Sequence, residues 1–256
     1  MPSAAGLYYF AHGVENEHRP PVLLLHGAGG THLHWPPEIR RLNGQRIFAL
    51  DLPGHGKSEG VGAQSILDYA QSVAAFIRAL KLPPAILVGH SMGGAIAQTL
   101  ALRFPKRVCG LGLVGTGARL RVSPAILENA STPATFPLAV RTIIDAAFGT
   151  QAETHLKELA AERMLETRSS VLYGDFLACD TFDLMEKVRR IKVPTLIICG
   201  ADDRMTPLRY SQYLTESIEG ARLHVVEDTG HMVMLERPQR VAEILLDFFN
   251  TFPNVG

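Results

Sequence analysis

ILVGHSMGGAIAQTLA, residues 86–101, decides the fold. An apolar run of β character meets GHSMGG and continues, with almost no spacer, as an alanine-rich helical sequence. Gly89, His90, Ser91, Met92 and Gly93 thus spell G-x-S-x-G between a predicted strand and a predicted helix, the context that makes a common pentapeptide specific. Reversing the chain in so few residues strains the central backbone. Glycines two before and two after it remove side chains that would collide. Ser91 is lifted to the top of a sheet, where the N-terminus of the following helix offers the Met92 N–H to developing negative charge. The plain structural alternative is a glycine-rich turn with Ser91 as a helix cap.

Outward from this joint, near-continuous apolar runs at 21–27, 46–51, 85–89, 108–115, 195–200 and 222–227 read as strands buried on both faces. Helices are predicted at 64–81, 92–104, 207–219 and 238–250, the last opening on Pro238 at a favoured first-turn position. The alternation specifies an α/β fold with a mostly parallel sheet flanked by helices. After Thr116 the pattern changes, and FPLAVRTIIDAAFG and AETHLKELAAERMLET carry helical periodicity. The expected division is a core of residues 1–116 and 189–256 with a helical cap inserted at 117–188.

The 256 residues, 46% hydrophobic, suit one α/β domain with an insertion. Lys plus Arg equals Asp plus Glu at 25 each, so no basic field attracts nucleic acid. The N-terminus has no signal-peptide pattern, and no run approaches the roughly 20 apolar residues of a membrane span. A soluble, cytoplasmic monomer or homodimer with a small-molecule partner is expected. Cys109, Cys179 and Cys199 lack C-x-x-C spacing and read as reduced, apolar-packing thiols.

A serine hydroxyl is a weak nucleophile until a base takes its proton, and the base needs an orienting carboxylate. His231, in EDTGHMVMLERP after the last strand, falls at the sheet edge where Ser91 emerges. His26, His55 and His90 sit in tight turns and read as structural. H-x-H at His32 and His34 could open a metal motif, but no ligand set follows it, so no metal and no cofactor are expected.

The chain resembles the α/β-hydrolase superfamily in LLLHGAGG (23–30), DLPGHGKS (51–58), GHSMGG (89–94), CGADDRMTP (199–207) and GHMVMLERP (230–238). Within it the chain looks most like small serine carboxylesterases with a helical cap. The resemblance implies the order nucleophile, acid, base, and its G-x-x-D-x-x-x-P pattern on Gly200 and Pro207 selects Asp203 over Asp202. Its HG-x motif implies a second oxyanion N–H at Ala28, with Gly29 as the reserve donor if the loop turns by one peptide. The triad is then Ser91, Asp203 and His231, with Ala28 and Met92 as backbone donors.

A serine at the elbow excludes the dehalogenase and epoxide-hydrolase chemistry that uses an aspartate there. It leaves hydrolysis of small carboxylic esters through an acyl-enzyme, with lactone or carbon–carbon bond hydrolysis as alternatives. A non-catalytic ligand receptor on the same fold is the reading from another class. Gly29, His34, Trp35, Phe136, Leu138, Ile144, Phe148, Leu177 and Phe182 are the candidate lining of the substrate pocket.

Overall fold

Alternate residues of each buried strand enter opposite hydrophobic clusters, so the strands form the middle layer of the molecule. Val22, Leu24, Ile47, Ala49, Ile86 and Val88 belong to one cluster, and Leu23, Leu25, Phe48, Leu50, Ala85 and Leu87 to the other. The structure, a computed structural model, describes residues 2–14 and 19–252. Its sheet has eight strands: β1 (Ser3–Ala4), β2 (Leu7–His12), β3 (Val22–Leu25), β4 (Ile47–Leu50), β5 (Ala85–His90), β6 (Val108–Val114), β7 (Thr195–Gly200) and β8 (Arg222–Val226). Their spatial order is β1-β2-β4-β3-β5-β6-β7-β8. From β4 to β8 every pairing is parallel, while β1 and β2 join antiparallel. The β1–β2 hairpin lies outside the six strands read from the sequence. LYYFAH is only partly buried and never forms the continuous aliphatic run that marks a central strand.

Helices α1 (Pro37–Arg40) and α10 (Pro238–Phe249) pack on one face through Ile39, Val241, Leu245 and Phe248. On the other face lie α2 (Ile66–Ala79), α3 (Met92–Arg103) and α8 (Leu208–Ser217), through Val73, Phe76, Ile96, Leu100 and Leu214. Four helices intervene between β6 and β7: α4 (Pro124–Ala130), α5 (Phe136–Ala147), α6 (Thr154–Leu165) and α7 (Ser169–Thr181). They have no separate core. Phe136, Val140 and Ile143 share a cluster with Val114 and Val233, and Ala178, Cys179 and Phe182 share the other with Leu113. A short helix, α9 (Val233–Glu236), precedes α10.

Register places the site. Leu25 pairs with Gly89, His90 with Val114, Val114 with Ile198 and Gly200 with Val226, so the C-terminal ends of β3, β5, β6, β7 and β8 finish level. The loops that follow them converge on one edge.

Candidate active site

At the end of β5 the chain turns into α3 through Ser91 alone, which has φ +52° and ψ −115°. A non-glycine residue there is strained, and the surroundings over-determine it. Its N–H donates to Val114 O at 2.9 Å, and its carbonyl accepts from Gly94 N–H, Ala95 N–H and Thr116 Oγ1. A Cβ on Gly89 would strike the Gly93 carbonyl, and one on Gly93 the Leu25 carbonyl. Both glycines are therefore steric requirements of the turn. Met92 opens α3, so its N–H is among the first-turn donors that have no intrahelical acceptor.

Asp203 follows β7 and His231 follows β8, and their side chains meet: His231 Nδ1 donates to Asp203 Oδ2 at 2.9 Å, with both groups buried. That bond puts a proton on Nδ1 and leaves the lone pair on Nε2. The Asp203 carboxylate also accepts from the N–H groups of Met205 and Thr206, at 2.8 and 2.7 Å, and from Thr206 Oγ1 at 2.7 Å. Burial by itself would raise the Asp203 pKa. The charge and hydrogen bond of His231, with the two hydrogen bonds of Thr206, outweigh it and hold the carboxyl below its ordinary value. The loop carrying His231 is pinned by Glu236, whose carboxylate accepts from Gly230 N–H at 2.9 Å and Gly149 N–H at 3.0 Å.

The loop after β3 is fixed by its carbonyls. Leu52 N–H donates to His26 Nε2 at 3.0 Å, so the ring proton sits on Nδ1, which donates to Gly27 O at 2.7 Å. Gly30 N–H is a second donor to the same oxygen, at 3.1 Å. Burial, with His55 nearby, holds the His26 pKa well below its usual value, which keeps the ring neutral as the two bonds require. In a trans peptide the N–H points opposite to the carbonyl. Fixing Gly27 O therefore aims the Ala28 N–H the other way, and Ala28 lies on the wall of the cleft that also receives Ser91 and His231. The Gly29 N–H is already bonded to Asp175 Oδ2 at 2.8 Å, which removes the reserve donor.

Residues 22–244 match the alpha/beta hydrolase family. The chain belongs to that family. It is 30% identical over 246 residues to a pimeloyl-[acyl-carrier protein] methyl ester esterase of Neisseria meningitidis, covering 89% of this chain and 92% of the relative. A monoacylglycerol lipase of Rattus norvegicus is 27% identical, with 93% and 77% covered. Among solved structures, a thermophilic esterase superposes with a TM-score of 0.82 at 34% identity, covering 96% of this chain and 98% of that one.

On this alpha/beta hydrolase scaffold the cleft, about 750 Å³ with its open mouth included, has Ser91 and His231 on its wall. Of the candidate lining residues, His34 and Ile144 are on its wall. The others are elsewhere. Gly29 faces the neighbouring polar hollow beside Asp51 and Lys57. Trp35, Phe136 and Phe148 are packed in one core cluster and Phe182 in the other. Leu138 lies on the solvent side of α5, 53% exposed, and Leu177 is half-buried away from the wall. Helical periodicity shows which residues share a face but not which face meets the cleft, and large aromatic groups went to the core. The wall is built mostly by smaller and more pliant groups, including Ile143, Ala147, Met164, Met205 and Met232, together with the aromatic Phe176.

Sequence reasoning also missed Thr206, whose hydroxyl touches both Asp203 Oδ2 and His231 Nδ1, the latter at 3.2 Å. Its position three residues after the acid was the available signal, since that spacing lets a turn return to the carboxylate. Asp175 was missed as well; nothing in the helical pattern of α7 marks it. His32, whose H-x-H spacing with His34 raised but did not support a metal motif, bonds through Nδ1 to Asp51 Oδ1 at 2.8 Å. Among the described residues no group of three His, Cys, Asp or Glu could hold a metal ion, and no helix is long and apolar enough to cross a membrane.

Proposed function

We propose that the protein hydrolyses carboxylic esters with an uncharged acyl chain, through an acyl-enzyme on Ser91. His231 Nε2 takes the serine proton as Oγ attacks the carbonyl carbon, and Asp203 holds the ring and stabilises the imidazolium. The N–H groups of Ala28 and Met92 receive the oxyanion. Collapse expels the alcohol, which takes the proton back from His231. Water activated by the same nitrogen then releases the acid. The helices from α4 to α7 act as the cap that forms the acyl pocket. The observation that carries this reading is the strained Ser91 sharing one cleft with a histidine whose other nitrogen is bonded to a buried carboxylate.

The preference for an uncharged acyl chain rests on the wall's ionisable groups. Burial, then His55, lowers the His34 pKa to about 4, and burial, then His231, holds His90 well below its usual value, so both rings are neutral. Burial pushes the Cys179 thiol up, so it too is uncharged. Arg121 has its guanidinium on the carbonyls of Leu120 and Asp180, at 2.7 and 2.8 Å, and beside Asp183 at 3.5 Å. A carboxylate in the acyl chain would thus lose its hydration among Ile143, Ile144, Met164 and Phe176 without gaining a counter-ion.

The test is a panel of p-nitrophenyl esters of increasing chain length, with lactones beside them, on wild type and Ser91→Ala. Hydrolysis of neutral esters, with loss of about 10⁴-fold or more in turnover for the variant, is expected. Ester turnover surviving the substitution overturns the assignment.

A further inference from the structure

We propose that Asp175, on α7, is a positioning residue of the oxyanion hole: the helical insertion sets the backbone that delivers the Ala28 N–H. The inference rests on the reading above, in which that N–H binds the oxyanion.

Asp175 is fully buried, and its two oxygens take donors from three separate elements of the sheet core. Gly29 N–H, from the loop after β3, donates to Oδ2 at 2.8 Å; His55 Nε2, from the loop after β4, donates to the same oxygen at 2.8 Å; and the Tyr69 hydroxyl, from α2, donates to Oδ1 at 2.5 Å. Each partner is itself saturated. The His55 Nδ1 faces Pro53 O at 3.0 Å, so both ring nitrogens meet acceptors and the ring is an imidazolium; Tyr69 accepts from Ala63 N–H at 2.9 Å. Burial alone would lower the His55 pKa, but the adjacent Asp175 outweighs it and raises the value. The carboxylate is therefore fully bonded and fixed, a well-placed acceptor for a backbone N–H.

The same insertion grips the other side of Gly29. Thr167 Oγ1, just before α7, donates to the Gly29 carbonyl at 3.1 Å. Gly29 has φ +65°, and a Cβ there would press into Leu172 of α7. Both polar groups of Gly29 and its bare α-carbon are thus held by the insertion. Its neighbour Ala28 contributes the peptide whose N–H faces the cleft. His26 and Gly30 fix the carbonyl of that peptide from the core side, and Asp175 fixes the next peptide from the insertion side. Between these two anchors the Ala28 N–H has one direction. Without Asp175 the Gly29 N–H is buried without an acceptor, and rotation of the 28–29 peptide towards a new one carries Ala28 with it.

The experiment measures kcat and KM on p-nitrophenyl butyrate, and inhibition by an alkyl trifluoromethyl ketone, for full-length wild type, Asp175→Ala, Asp175→Asn, Thr167→Ala and Arg168→Ala. The ketone forms a hemiketal oxyanion on the serine and so reports the hole directly. Asp175→Ala is expected to lower kcat about 100-fold with KM little changed, and to weaken the ketone in parallel. Asp175→Asn and Thr167→Ala, which keep most of the packing, show smaller losses of the same pattern. Arg168→Ala removes the bonds from the insertion to Gly54 O and Gly60 O without touching Gly29, and its kcat stays at the wild-type value. If Asp175→Ala fails to fold, the other two variants decide. Folded Asp175→Asn and Thr167→Ala with wild-type kcat and ketone inhibition overturn the proposal, as does a fall in kcat with undiminished ketone inhibition. Wild type that an organophosphonate does not label overturns the Ser91 reading itself; wild type labelled while the variants keep kcat overturns only the role of Asp175.

Discussion

The two sides of the cleft are built differently. On the side proposed for the base, Asp203 and His231 are 28 residues apart, on loops after neighbouring strands, and the acid takes three of its hydrogen bonds from the turn that contains it. On the side proposed for the oxyanion, Gly29 is held by a carboxylate 146 residues away, in the helices between β6 and β7. Side-chain chemistry can be arranged by the sheet edge alone. The direction of a backbone N–H in a glycine-rich loop cannot, because such a loop has many conformations of similar energy and needs outside anchors to select one.

This contrast can be tested by substitution on each side. The largest effect belongs to the nucleophile, and Ser91→Ala should remove about 10⁴-fold or more of kcat. Next is the base side: Asp203→Asn should cost about 10⁴-fold in kcat near neutrality by favouring the wrong His231 tautomer. Stopped assays on the purified variant check it, and a loss under tenfold breaks the triad assignment. Loss of Asp175 falls below both, since the oxyanion retains the Met92 donor. The acyl wall comes after that. Methyl hexanoate should exceed monomethyl adipate in kcat/KM by a factor of about 10–100, an order set by burying one unpaired charge; equal rates would show that the wall tolerates a carboxylate.

The smallest effect is on stability. His55 has a raised pKa when folded, so its pairing with Asp175 stabilises fully below the ordinary histidine value of 6.5 and is lost as pH rises through the raised value. The groups facing it are Asp175, Asp51, His26, His34 and Tyr69. Asp203 behaves oppositely: its contribution is present above the unfolded value near 3.8 and is lost as pH falls through the depressed one. Thermal unfolding should therefore show a decline on the alkaline side that His55→Gln flattens, by about 2–4 °C for each kcal/mol of coupling. Identical alkaline profiles for both proteins would remove His55 from the account.

What the sequence revealed follows the same division. Strand runs, the elbow at Ser91 and the carboxylate and histidine after β7 and β8 were legible, because each is a local pattern tied to a sheet edge. The β1–β2 hairpin was not, since β1 is two residues long and the aromatic, half-buried β2 lacks the aliphatic run of the central strands. Nor was the pocket wall. Phe136 and Phe148 went into the core and Leu138 to the surface, because helix period alone does not fix how α5 rotates over the sheet. Asp175 was invisible for a related reason. Its significance lies in three partners brought from 106, 120 and 146 residues away.

The central claim is that Ser91 becomes covalently acylated during turnover. The direct measurement is peptide mass spectrometry of the enzyme inactivated by an alkyl fluorophosphonate. A single adduct on the peptide containing GHSMGG, formed in step with loss of esterase activity and absent from Ser91→Ala, is the predicted result. Inactivation with the adduct on another residue, or full activity with Ser91 modified, would contradict it.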